Sequence, residues 1–337
     1  MKKFLALLLA LTMVFAFAVE ASAETAFPEH SITLIVPWNA GGASDLIGRI
    51  LVDEMKTTLG VDITVVNTPG ATGTVGMNDC RINPHDGYTL IANATPYSHG
   101  VMGLADWAPS DWDYMAAYYV PSVIAVSKDS PYKTFEDLYA AIEANPGKIT
   151  GGTAGVGSTG YTVMEILGAS VPVMAEYKPI SYEGGAGAVT ATLAGEVDFT
   201  PQLSNEEIDL LRSGDLIALA AMTEEDLQLD GVDYVIPSIK NFLPETADIL
   251  PLGDAFGLML PADAPEGVDE VLEDAYLKAC ESDSVKAFAG EKGMMLIGLN
   301  MADSNALRDK TASMVGWTLF DGGVAPVSPE NFGIARP

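Results

Sequence analysis

The chain is poor in basic residues, histidine and cysteine. Seventeen lysines and arginines stand against 46 aspartates and glutamates in 337 residues, a formal charge of −29. That balance argues against nucleic acid and anionic membrane surfaces as partners. It also repels anionic ligands at long range, so an anion site here has to work through local backbone donors. The three histidines, His30, His85 and His99, are scattered. None stands in a metal-ligand spacing, so no metal is expected. The two cysteines, Cys80 and Cys280, allow one disulfide or two buried thiols and make no framework. Beyond the first twenty residues no long apolar run exists, which excludes a membrane-spanning helix there.

The start of the chain is where the apolar residues gather. Lys2-Lys3, an apolar run from Phe4 to Val19, and Ala21-Ser22-Ala23 make a secretory signal peptide over 1–23. Cleavage is expected after Ala23, sending the chain to the periplasm or the extracytoplasmic face. No cysteine lies near the cut, which argues against a lipid anchor at this signal. Loss of Lys2, Lys3 and Glu20 makes the mature chain slightly more acidic still.

The stretch Pro37 to Asp45 organises the rest. It follows an alternating apolar run, Ile32 to Val36, that reads as a strand. It precedes Leu46, Ile47, Ile50, Leu51, Met55 and Leu59, spaced as one face of a helix. Gly41 and Gly42 let the turn take positive φ, and Ser44 or Asp45 is placed to cap the helix. The free N–H groups and the positive end of that helix then offer a seat for a carboxylate or phosphate. An ordinary capped turn with no ligand has the same local pattern.

Further along, strands are expected at 62–67 and 88–94 with a helix over 74–82 between them. This βαβαβ order predicts a parallel sheet with helices on its faces. The aromatic segment Trp107 to Ser127 ends in a strand over 122–126. Thr134 then caps a helix, with Asp137 three residues on as a capping-box variant. A second set of βα units follows: strand 149–151, loop 153–159, helix 161–169, strand 174–180, helix 184–193 and a short strand 197–199. The chain returns through a strand at 255–260 and helices over 268–280 and 304–318.

Gly155-Val156-Gly157-Ser158-Thr159-Gly160 matches G-x-G-x-x-G. A lone match is a weak sign of a dinucleotide site, and an exported protein meets little nicotinamide cofactor. What survives is a second helix N-terminus behind an open glycine loop. No G-x-S-x-G elbow appears, and no carboxylate pair is spaced for acid–base work. No catalytic residue and no cofactor is expected.

Seven stretches in register resemble one family. They begin with Ile32 to Asp45, then Val66 to Ala71, Asp86 to Leu90 and Gly155 to Ser158. Tyr182 to Ala186, Gly195 to Asp198 and Gly257 to Ala262 follow, and Trp317 to Gly323 is similar to the family's closing helix. The chain resembles the Bug family, the extracytoplasmic solute receptors of tripartite tricarboxylate transporters. The resemblance implies an α/β, two-domain type II periplasmic binding protein fold with a ligand cleft between the domains. It implies residues 24–122 and 254–337 in domain 1 and 123–253 in domain 2. Both cysteines then fall in domain 1. The implied function is capture of a small carboxylate-type metabolite, or a related amino acid or amide, for delivery to membrane permease subunits. The facing loops carry the implied site: Trp38, Asn39, Gly41, Gly42, Ala43, Ser44 and Asp45 in one domain, and Thr153, Gly155, Gly157, Ser158 and Thr159 in the other. Thr95 and Tyr97 after the third strand, with Asp198 and Gln202, complete the set. Trp38, Asn39 and Glu183 differ from the family's usual residues, and 223–252 matches it poorly. A sensory receptor for the same ligands and an exported enzyme using the same cleft are the alternatives.

Overall fold

The computed structural model describes residues 27–94, 97–182 and 184–337. The signal-peptide residues 1–23, Thr95 and Glu183 lie outside the described residues.

The first unit is a six-stranded sheet. Its strands are β1 (Ile32–Val36), β2 (Ile63–Asn67), β3 (Thr89–Ala94), β4 (Trp112–Pro121), β9 (Gly253–Pro261) and β10 (Met295–Leu296), in the order β10-β4-β9-β3-β1-β2. β1 runs parallel to β2 and β3, as the βαβαβ reading requires. From β3 outward the sheet turns antiparallel: β9 opposes β3 and β4, and β4 opposes β10. The sheet is therefore mixed, not parallel throughout. β4 carries the difference. Trp112, Tyr114, Tyr118 and most of their neighbours are buried, so the strand has no polar face and no alternation to read.

Helix α1 (Ala43–Leu59) lays Ile47, Leu51 and Met55 on this sheet, all fully buried. Gly48 makes the approach possible, because a Cβ there would stand 2.7 Å from Ala92 Cβ. α2 (Thr74–Ile82) covers the other face. Cys80, on α2, and Cys280 are both buried free thiols. Each contributes to a different apolar cluster.

The second unit lies between β4 and β9 in the chain. It opens with β5 (Val123–Ser127), and α3 (Phe135–Ala144) follows. The Thr134 hydroxyl accepts from the Asp137 N–H at 3.2 Å and Asp137 accepts from the Thr134 N–H at 3.1 Å, closing the expected capping box. Then come β6 (Thr150–Thr153), α4 (Thr159–Ser170), β7 (Lys178–Ser181), α5 (Gly185–Leu193), α6 (Ser204–Ser213) and β8 (Leu216–Ala221). β6 pairs parallel with β7, and β5 antiparallel with β8. Phe199 and Thr200 join the two pairs by bridges to Gly151 and Ala125. The short strand expected at 197–199 is reduced to these bridges, and the strand expected from Met174 begins only at Lys178.

α7 (Val268–Cys280), α8 (Asp283–Glu291) and α9 (Met301–Asp321) finish the chain. α9 serves both units. At its start the Ser304 hydroxyl accepts from the Ala116 N–H and Asn305 from the Tyr114 N–H, both on β4 at 2.9 Å. Further on, Ala312, Val315 and Leu319 enter the core that holds Val163 and Leu167 of α4.

Candidate functional site

The loop between β1 and α1 is held from beneath by one carboxylate. Gly42, not Ser44 or Asp45, is the helix N-cap, with φ −78° and ψ 172°, and no side chain caps the helix. Ser44 and Asp45 sit inside the first turn and are buried. The Asp45 carboxylate reaches back out of the helix. It accepts from the Gly41 N–H at 2.9 Å, Asn67 Nδ2 at 2.9 Å and Arg49 Nε at 3.0 Å. Burial opposes its charge, but the bonds from Arg49, Gly41 and Asn67 outweigh burial and lower its pKa to about 2. Arg49 is thereby occupied in an i, i+4 pair. Only Gly41 of the two glycines has positive φ, at +87°.

Trp38 is fixed from both ends. Its indole N–H donates to Asn93 Oδ1 at 2.7 Å and its carbonyl accepts from Asn67 Nδ2 at 3.1 Å. Asn39, Gly41 and Gly42 are left exposed, with Ala43 half-buried. The N–H groups of the first turn ahead of Leu46 have no acceptor within the helix.

The second glycine loop follows β6. Gly155 and Gly157 take φ of 108° and 82°, and Ser158 becomes the N-cap of α4. Several buried polar atoms here have no partner among the described residues: Thr153 Oγ1, Ser158 Oγ, Thr162 Oγ1 and Gln202 Nε2. Thr153 is fully buried and Gln202 nearly so. The Gln202 amide lies against the first turn of α4, since a Cβ on Gly160 would stand 2.8 Å from its Oε1. Each orphaned buried group costs about 1–3 kcal/mol.

The two units meet beside this loop. Asp254, near the start of β9, accepts on one oxygen from Thr159 Oγ1 at 3.1 Å and from Tyr97 OH at 3.3 Å. Burial, then the Asp254 charge, pushes the Tyr97 phenol well above its ordinary range, so it stays a donor. Met102 approaches from the first unit, its terminal methyl 3.6 Å from where a Cβ on Gly157 would stand. Below lies a crevice of about 40 Å³ lined by Tyr97, Tyr119, Thr162, Leu252 and Val315, wide enough for water and too small for a metabolite.

Asp198 stands elsewhere. Its carboxylate accepts from both the N–H and the hydroxyl of Thr150 at 2.7 Å. Thr150 begins β6, whereas the glycine loop leaves its other end, so Asp198 is a staple of the strand rather than part of the cleft. Asp254, Asn67 and Asn93 were not legible as site residues. They are single polar residues at strand ends, brought to the loops only by sheet order. Among the described residues no group of histidine, cysteine and carboxylate side chains is arranged to hold a metal ion. No helix among them is long and apolar enough to cross a membrane.

The chain is similar to known proteins over most of its length. The profile described as tripartite tricarboxylate transporter family receptor matches residues 47–316. A UPF0065 protein of Agrobacterium vitis is 27% identical over 302 residues, covering 86% of this chain and 83% of that one. The crystal structure of a TctC solute binding protein from Polaromonas superposes with a TM-score of 0.73 at 25% identity, over 88% of this chain and 99% of that one. MatC from Rhodopseudomonas palustris, solved with bound malate, gives 0.71 at 23% identity over 87% and 100%.

Proposed function

The chain belongs to the tripartite tricarboxylate transporter receptor family, and from that membership we propose that it captures a small carboxylate-bearing metabolite in its interdomain cleft and delivers it to membrane permease subunits. It is an extracytoplasmic solute-binding receptor of two-domain α/β fold, not an enzyme. The finer reading, with the ligand held between the β1–α1 loop and the β6–α4 loop, rests on one observation. Thr153 Oγ1, Ser158 Oγ and Gln202 Nε2 are buried without partners around the α4 N-terminus. Such atoms suit an oxygen-rich ligand seated on backbone donors. The malate bound by MatC is the kind of molecule that fits this description. Export through the leader, with Glu24 as the mature N-terminus, belongs to the same proposal.

The mature protein is to be screened by thermal shift against small carboxylates, amino acids and amides. A true ligand at a hundredfold excess over its dissociation constant stabilises by about 2.7 kcal/mol. Gln202→Leu removes one orphaned donor and should weaken the hit while the fold persists. A panel without any stabilising compound, or a hit indifferent to Gln202→Leu and to substitutions in the Gly41–Ala43 loop, would refute this site.

A further inference from the structure

The parallel strands of the first unit end side by side in the order β3-β1-β2, so the segments after β2 and β3 flank the β1–α1 loop. The segment after β2 takes an uncommon path. Gly70, Ala71, Thr72 and Gly73 all have positive φ, and Ala71 (+45°) and Thr72 (+57°) carry side chains there. Thr72 is β-branched, which makes it an outlier in this region. Glycine at both positions would turn the chain without strain. Strain of this kind persists only where neighbouring groups hold it, and it gathers at ligand clamps.

Most of the holding is local. The Gly73 N–H donates to the Gly70 carbonyl, and the Thr74 hydroxyl to the Ala71 carbonyl. Among the described residues, the one hydrogen bond to 70–73 from outside this loop and α2 is that of His99, whose Nε2 lies 3.0 Å from the Thr72 carbonyl oxygen. A carbonyl only accepts, so Nε2 carries the proton. Nδ1 is buried and has no partner among the described residues. Burial holds the pKa of the ring below its ordinary value, so the imidazole is neutral. The ring is itself fixed, buried with its centre 5.0 Å from that of buried Trp107.

The loop in turn bears on Trp38. A Cβ on Gly73 would stand 3.3 Å from Trp38 Cζ2, and one on Gly76 2.9 Å from Pro37 Cβ. From the other flank, Asn93 of β3 accepts the indole N–H. We propose that His99 is a positioning residue of the binding site: through the Thr72 carbonyl it keeps the strained loop 70–73 against Trp38 and so fixes the aromatic wall of the β1–α1 loop. This rests on the receptor reading above, which makes Trp38 part of a ligand site.

Acrylamide quenching of tryptophan fluorescence tests the positioning without a ligand. Trp107, Trp112 and Trp317 are buried and Trp38 is half-buried, so quenching reports on Trp38. Asn and Gln carry the same amide but differ in reach. Gln brings its N–H to where Nε2 stands, and Asn falls short. His99→Asn is expected to raise the quenching constant, and His99→Gln to leave it near that of the parent. In a Thr72→Gly background, with no strain to hold, the rise should be smaller. If His99→Asn does not fold, His99→Phe, which fills the space beside Trp107 and cannot donate, takes its place. Quenching of His99→Asn equal to that of the parent or of His99→Gln would overturn the positioning. An equal rise in both backgrounds would overturn the account by strain. Calorimetric titration with the carboxylates, amino acids and amides of the thermal-shift screen reads the consequence for binding. A compound that binds the unmodified protein should bind His99→Asn about three- to tenfold more weakly, the worth of one hydrogen bond. Unchanged affinity would overturn the role in binding. Absence of any binder would bring down the receptor reading, while quenching still decides whether His99 positions Trp38.

Discussion

Replacing Asp45 by Asn removes a charge while keeping the side chain's size. The group is nearly buried, and its pKa falls from 3.8 to about 2 in the folded chain. A shift of that size corresponds to about 2.4 kcal/mol of stability at pH 7, at roughly 1.36 kcal/mol per unit. Screening by solvent around the half-exposed Arg49 trims this toward about 2 kcal/mol. The sign follows from a lowered carboxylate pKa. The contribution is complete above the unfolded value and disappears as pH falls through the folded one. At pH 3 about half of it should remain. Urea unfolding of both proteins, followed by tryptophan fluorescence at pH 7 and pH 3, measures the difference. A variant as stable as the parent at pH 7, or a gap that does not narrow at pH 3, would show that Asp45 does not hold the loop by its charge.

Thermal denaturation of two glycine variants separates strain from contact. Gly41→Ala places a side chain at φ +87° and should cost about 1–2 kcal/mol, whereas Gly42→Ala, at φ −78° with its nearest neighbour at 3.6 Å, should be nearly neutral. Thr134→Ala opens the capping box of α3 and should lower stability by about 1 kcal/mol in the same assay. Cys80 and Cys280 are buried and free, with burial pushing their thiols up to about 12 and about 11. Both should be inert to a thiol reagent in the native protein and titrate fully in denaturant; one thiol missing from the denatured count would reveal a disulfide instead.

The first three strands and α1 and α2 were legible because their apolar residues repeat at the spacing of one buried face. β4 was not, since burial on both faces erases the period. α6 and β8 went unread for another reason: α6 carries Glu206 and Glu207 in its first turn, and Glu207, an acid that looks solvated in a sequence, is here fully buried. The two loops were visible through their glycines and the strands before them. The side chains that fix them were not. Asp45 reads as an exposed cap and acts as a buried anchor, and Asn67 and Asn93 gain meaning only when β2 and β3 flank β1.

The passage of the chain between its two units has a mechanical consequence. It crosses at Pro121–Val123 and again at Leu252–Gly253, side by side, since Pro121 is in register with Gly253 and the Ser122 N–H donates to the Leu252 carbonyl at 3.1 Å. Two straps laid flat together flex easily about the line joining them and resist shear and torsion. α9, bonded to β4 at one end and packed against α4 further along, braces the same joint. We expect any relative motion of the units to run about this joint.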